Sequence, residues 1–297
     1  MSKEKIVKGT ERTLKYTLYW LFVIYCISLC IPLIWMIFTA CKGYMEYYDN
    51  PFGMPKKWMF DNFASAMKMV KLRIVKNNQR IVYDIWDMAG VSVTYALLSS
   101  FWAVLWTVLT AYAMAKYKFV GRDVIWAIGI FVMVTPLYGS SVSRMTIYKA
   151  WGIYDNMFSL IFFSPSTVFC GLYFMLMVSA FKAMPWSYAE AAFIDGAGHF
   201  KVMVSIFIPM ILPTCAVQFV MGFLSNWNDY GTFLIWLPSY PNLAYGMYFF
   251  QANSSLYGST INEIMAGLAI VAIPTSVLYM SCQKLITSKF TVGGLKG

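Results

Sequence analysis

Residues 190–198 read EAAFIDGAG, inside the longer run Pro185-Trp-Ser-Tyr-Ala-Glu-Ala-Ala-Phe-Ile-Asp-Gly-Ala-Gly-His-Phe-Lys-Val. Pro185 suits the first turn of a helix, where its missing N–H has no partner to lose. Ala189, Glu190, Ala191 and Ala192 propagate that helix well. Gly196 ends it, because glycine adopts positive φ without steric cost. Asp195 is placed to cap a second helix, whose Phe200, Val202 and Val204 lead into the next apolar segment. The reading is a short helix, a glycine bend and a helix that runs on. Ala191, Ala192, Gly196 and Ala197 have almost no bulk, so a partner backbone can approach. Glu190 offers one charge, and Phe193 and Ile194 are candidate anchors for an apolar pocket. The alternative, a loop resting on lipid headgroups, would favour Lys or Arg in place of the acids.

The bend sits in a chain that is 60% hydrophobic and only 12% charged over 297 residues. Soluble domains average about 45–50% apolar and about 25% charged, so this is an all-α integral membrane protein. Six segments reach the ~20 apolar residues that a crossing helix needs. They are Leu14–Ala40, Met88–Ala115, Val124–Val142, Met157–Phe181, Val202–Leu224 and Ile264–Cys282. Helices are expected because lipid offers backbone groups no partner, and the runs are too long and continuous for barrel strands. The aromatic share of 19% fits interfacial belts of Trp and Tyr.

The net charge of +10 is read as topology and lipid attraction rather than nucleic-acid binding. Lys3, Lys5, Lys8, Arg12 and Lys15 precede the first span, Lys116, Lys118 and Arg122 follow the second, and Lys182 and Lys201 follow the fourth. Lys284, Lys289 and Lys296 follow the sixth, while the 225–263 loop has neither Lys nor Arg. The positive-inside rule then places both termini, and the bend, in the cytoplasm. The organisation expected is a cytoplasmic N-terminus (1–13), a first span (14–40), an extracytoplasmic insertion (41–87), a core of five spans (88–284) containing the 185–201 loop, and a cytoplasmic tail (285–297). The basic cluster Lys68, Lys71, Arg73, Lys76 and Arg80 in the insertion runs against the rule, but long loops weigh less in it.

The span cores contain no Asp, Glu, Lys, Arg or His. A proton-coupled carrier needs such groups to hold and release its coupling charge. No G-x-x-x-x-G-K-[ST] phosphate cradle occurs either. Energy for uphill movement would therefore arrive through a partner. Cys26, Cys30, Cys41, Cys170, Cys215 and Cys282 are scattered without a C-x-x-C pair, so neither a metal site nor a disulfide framework is expected. The only histidine, His199, has no nucleophile or acid beside it in sequence, and no catalytic residue is assigned.

Glu190-Ala-Ala-x-x-Asp195-Gly196-Ala197, followed by Ile208-Pro209 and Leu212-Pro213, resembles the EAA loop of ABC importer permeases. The stretch SVTYALLSSFWAVLWTVLTAYAMAKYKFVGRD (92–123), WGIYDNMFSLI (151–161), SNWNDY (225–230) and the closing Gly-Gly-Leu-Lys-Gly are similar to carbohydrate permeases, the smaller maltose-transporter permease among them. The likeness covers residues 88–297 and implies the type I importer permease fold: six transmembrane helices and a cytoplasmic coupling helix. It implies a heterodimer with a second permease, two ABC ATPase subunits and an extracytoplasmic solute-binding protein, in a prokaryotic inner or plasma membrane. ATP and Mg would be bound by the ATPase partners, with no cofactor in this chain. Glu190 and Gly196 would be the main coupling contacts, with Ala191, Ala192, Asp195 and Ala197 beside them.

The resemblance also implies a solute path between two permeases near mid-membrane. A sugar needs aromatic faces and uncharged polar groups. The candidates are Tyr138, Ser140 and Ser141 at the end of the third span, and Asn226, Trp227, Asn228 and Tyr230 after the fifth. Aromatic residues at span ends also serve as interfacial anchors. The leading expectation is a sugar or oligosaccharide importer subunit. The alternatives are a permease for a polyol, a glycerol phosphate or a peptide, and a self-sufficient secondary carrier.

Overall fold

The computed structural model describes residues 3–76, 79–135, 140–163, 169 and 171–290, with side chains left undescribed at 3–11, 76, 140–141 and 285–290. Among the described residues the regular structure is helical apart from one antiparallel pair of strands. In order run α1 (Lys3–Ala40), α2 (Tyr44–Asp49), α3 (Asp61–Met69), strands β1 (Leu72–Lys76) and β2 (Gln79–Tyr83), α4 (Ile85–Lys116), α5 (Arg122–Val134), α6 (Ser140–Ala150), α7 (Met157–Phe163) and α8 (Leu172–Lys182). Then come α9 (Ser187–Ile194), α10 (His199–Val202), a π-helical turn (Met203–Phe207), α11 (Ile208–Asn228), α12 (Gly231–Ile235), α13 (Leu243–Ala252), α14 (Ser254–Tyr257) and α15 (Ile261–Phe290).

Four helical stretches among the described residues are long and apolar enough to cross a bilayer: Arg12–Ala40, Ile85–Lys116, His199–Asn228 and Ile261–Lys284. They correspond to the first, second, fifth and sixth expected spans. The third and fourth are each shared between two described helices. α5 ends at Val134, and Thr135 turns to φ −84, ψ 115. Thr135 precedes Pro136, whose ring disfavours the helical region for the residue before it. Gly171, at φ +96, opens α8 in a conformation that only glycine adopts freely.

Contacts divide the chain into two compact units. The first comprises Met1–Val70 and Phe250–Ala272. Its organising feature is the fully buried Lys42. Nζ donates to the carbonyls of Asn50 at 2.7 Å and Pro51 at 3.1 Å. Asn62 Nδ2 donates to the carbonyls of Ala40 and Lys42 at 2.7 and 2.8 Å, and Asn262 Nδ2 to that of Thr39 at 2.8 Å. The exit from α1 is thereby locked by side chains that satisfy its orphan carbonyls. Burial lowers the Lys42 pKa from the usual lysine value, and Glu46 opposes that shift.

The second unit comprises Lys71–Phe249 and Ile273–Gly297. α4 is its axis, packed on α8 and α11. Asp84 caps α4 in a reciprocal box with Asp87. Gly222 allows close approach of α11 to α4: a Cβ there would lie 3.2 Å from Ser100 Oγ. The main core gathers Val108, Tyr112, Phe174, Met177, Phe181, Phe207 and Ile211.

Candidate functional site

The 185–201 loop folds as a helix, a bend and a helix. α9 closes in a Schellman motif: Ala197 N–H donates to the Ala192 carbonyl at 2.9 Å and Gly196 N–H to the Phe193 carbonyl at 3.0 Å. Gly196 carries φ +80, as that motif requires. Asp195 terminates α9 instead of capping α10, whose cap is Gly198 with no side-chain bond. The cause is simple. With Gly196 as the αL residue, Asp195 falls on the last helical turn, four residues before His199.

The elbow has two faces. Ala189 is fully buried, and Ala192, Phe193 and Ala197 are half-buried against the main core. Phe193 packs on Trp186 at 6.0 Å and on His199 at 4.7 Å between ring centroids, so it serves the interior and is not an outward anchor. His199 Nδ1 lies 3.0 Å from Tyr117 Oη, and Trp186 stacks on Phe207. Lys116 Nζ donates to the Met184 carbonyl at 2.6 Å and sits 4.8 Å from the Phe207 ring centre. The outer face presents Glu190, Ala191, Asp195 and Gly196, with Ile194 at 87% and Phe200 at 74% exposure.

From the elbow the chain runs without a break through 30 helical residues, His199–Asn228, about 45 Å of helix at 1.5 Å per residue. Pro209 and Pro213 lie within it. Each lacks the N–H that would bond the carbonyl four residues earlier. Just before Pro209 the helix widens to a π turn, with Ile208 N–H donating to the Met203 carbonyl.

The far half of this helix lines a cleft of about 580 Å³ with α4, α6, α7 and α8. One stripe of α11 faces it: Gln218, Met221, Gly222, Ser225 and Asn226, then Asp229 just beyond. Tyr95, Ser99, Ser100 and Ala103 answer from α4. Asn226 Nδ2 donates to Ser100 Oγ at 3.1 Å and Gln218 Nε2 to Thr107 Oγ1 at 3.0 Å, so two polar ties join the helices. Tyr148 and Trp236, with ring centroids 5.1 Å apart, form part of the wall. Beside them Asp155, at φ +56, accepts from Ser239 N–H at 2.9 Å and Ser239 Oγ at 2.6 Å.

Residues 85–292 match the family of binding-protein-dependent transport system inner membrane components. The chain belongs to this family. It is a permease, a multi-pass membrane transport subunit of the ABC importer class. The permease is 25% identical over 285 residues to a diacetylchitobiose uptake system permease protein of Streptomyces coelicolor, covering 92% of this chain and 86% of the relative. It is 27% identical to a sulfoquinovosyl glycerol transport system permease protein of Agrobacterium fabrum, covering 90% and 88%. A maltodextrin transport system permease protein of Bacillus subtilis is 28% identical over 195 residues, covering 64% and 68%. In fold, the permease matches a chain of a bacterial ABC transporter that imports the acidic polysaccharide alginate, with TM-score 0.75 and 19% identity over 96% of this chain and 98% of that one.

The elbow residues expected to act together, Glu190, Ala191, Ala192, Asp195, Gly196 and Ala197, are contiguous in the permease, but Ala192 and Ala197 turn inward. Of the solute-path candidates, Asn226 lines the cleft. Trp227 is buried and stacks on Phe223. Asn228 Nδ2 donates to its own helix at Leu224, and Tyr230 stacks on Tyr248. Tyr138 and the side chains of Ser140 and Ser141 lie outside the described residues. Sequence reading missed Gln218, Ser225, Ser99 and Tyr95. On α11 the signal was present as a polar stripe, Gln218, Ser225 and Asn226 at i, i+7 and i+8 of an apolar helix, and on α4 as Tyr95 and Ser99 at i and i+4.

Proposed function

We propose that this permease is one of two unlike membrane subunits of an ATP-driven importer for a sugar or oligosaccharide. The elbow is its coupling helix and faces the cytoplasm, as do both termini. Two ATPase subunits bind ATP and Mg and receive the elbow in a cleft, an extracytoplasmic binding protein delivers the solute, and this chain holds no cofactor of its own. The relatives include permeases of diacetylchitobiose and maltodextrin systems, which supports the sugar reading. A second solved structure of similar fold, a bacterial alginate ABC transporter in complex with an alginate pentasaccharide-bound periplasmic protein (TM-score 0.61, 14% identity), supports the binding-protein partner.

The observation that carries the coupling reading is the division of labour along one helix. Its N-terminal end, with the elbow that precedes it, bears an outer surface, Phe200 and Ile194, that the described residues leave exposed, and its other end lines the cleft. Glu190, Ala191, Asp195 and Gly196 complete the contact surface. Ala192 and Ala197 hold the elbow to the core. When the ATPase pair closes, the elbow is displaced, and the continuous helix carries that motion to the Gln218–Asp229 stripe.

Cysteines introduced at 194 and 200, treated with a short bifunctional cross-linker in the assembled complex, test this. The reading expects cross-links to the ATPase that change with ATP. A cysteine at Trp151, 73% exposed on the α6–α7 loop, should give none. Absence of ATPase cross-links at both 194 and 200 refutes the coupling role.

A further inference from the structure

We propose that the cleft between α4 and α11 is a solute subsite belonging to this chain, in which the Gln218 side-chain carbonyl accepts a hydroxyl hydrogen from a neutral, polyhydroxylated ring. The inference rests on the sugar-importer reading and adds to it a place and a reader.

The orientation of the Gln218 amide is fixed by its neighbours. Thr107 Oγ1 donates its single hydrogen to the Ala103 carbonyl at 2.7 Å. It can then only accept from Gln218, so the amide must turn Nε2 toward it, at 3.0 Å. That leaves Oε1, and Oε1 is buried with no hydrogen-bond partner among the described residues, on a side chain only 5% exposed. A buried acceptor without a donor is costly to keep, and more so away from water. An interhelical tie needs only the Nε2 half. The carbonyl half is explained by a donor that arrives with the solute and parts the side chains that cover Oε1.

The rest of the cleft fits such a visitor. Its volume of about 580 Å³ lies within the range of about 300–1,000 Å³ usual for small-molecule sites. The charged residues on its wall are Arg144 and Asp229, which cancel formally, and Asp229 Oδ1 already accepts from Thr232 N–H at 3.0 Å. Hydroxyl and amide groups (Ser99, Ser225, Asn226) alternate with the aromatic walls of Tyr95, Tyr148 and Trp236. Apolar ring faces together with convergent uncharged polar groups suit a sugar ring better than a peptide or a phosphate.

The test uses the assembled permease–ATPase complex in detergent, without binding protein. Equilibrium dialysis measures binding of radiolabelled maltotriose and diacetylchitobiose, and the same preparation with binding protein is assayed for ATP-driven uptake in proteoliposomes. Gln218→Met removes the acceptor at similar volume. Gln218→Asn withdraws it by one methylene and carries the test if the Met variant fails to accumulate. Both should weaken binding about tenfold, the scale of one hydrogen bond made in a desolvated site. Thr107→Val releases the amide that Thr107 orients and should weaken binding as well, whereas Phe193→Ala, which strips a ring contact in the elbow and none of the cleft wall, should leave binding within about twofold while lowering thermal stability. Binding unchanged in the Gln218 variants, or changed equally in Phe193→Ala, overturns the subsite alone. A wild-type complex that imports one of these sugars yet binds neither also overturns it. A wild-type complex that imports neither overturns the sugar reading and the subsite with it.

Discussion

Gly196 stands at φ +80, and a Cβ built on it meets nothing within 4 Å. Its requirement for glycine is thus conformational inside the chain, and any steric requirement must come from outside it. Asn tolerates the left-handed region far better than branched residues do. Gly196→Asn should therefore leave membrane abundance near wild type and still lower uptake at least tenfold, read by immunoblot against initial transport rate; normal uptake would remove the docking surface. Neighbouring residues divide similarly. Ile194 is 87% exposed, so Ile194→Asp should abolish ATPase co-purification while the melting temperature stays put. Phe193→Ala, which strips an internal ring contact, should cost about 0.75–1.5 kcal/mol, half of what full burial of such a side chain provides. That loss appears as a lower melting temperature with ATPase binding retained. The bend itself was legible from Pro185, the alanines and Gly196. The inward turn of Phe193 was not, because a helix of eight residues gives no periodicity from which to tell its faces apart.

Among the elements, the long apolar helices were plain in the sequence because 20 or more apolar residues in lipid have one outcome. The divided third and fourth segments were obscured. Thr135-Pro136 lies in a run that is apolar throughout, and hydropathy does not register the missing N–H. The polar stripe on α11 was hidden in the same way, as single residues diluted among many apolar ones. Lys116 joins two elements, since its ammonium holds the Met184 carbonyl ahead of the elbow. Lys116→Met keeps the stem and loses that charge-assisted bond, so about 1.5–3 kcal/mol of stability should go. The 41–87 insertion, which composition alone could not separate from a solvated loop, begins as a built knot around Lys42. Lys42→Met leaves the Asn50 and Pro51 carbonyls without their donor and should cost about 1–3 kcal/mol of stability, read as a lower melting temperature in detergent. The pH sign follows from the lowered Lys42 pKa. Between the folded value and the unfolded one near 10.5 the unfolded state binds more protons, so this group makes stability rise with pH there. Below that window its contribution is level, and melting curves between pH 6 and 8 should not move on its account.

For the molecule as a whole, the proposed function is that of a transmission, from a surface left exposed by the described residues at one end of a long helix to a polar cleft at the other, and the span cores contain no charged residue that would serve as an engine. The π turn and the two prolines sit between these ends, where a helix bends most readily. Residues separated by the whole length of α11 should accordingly be coupled in function. The most direct measurement is ATP-dependent accumulation of labelled sugar in proteoliposomes that contain this chain alone, or this chain with a second permease, two ATPase subunits and a binding protein. The account predicts accumulation above the external concentration only in the complete assembly, and its loss there with Gly196→Asn. Uphill accumulation by the single chain would contradict it.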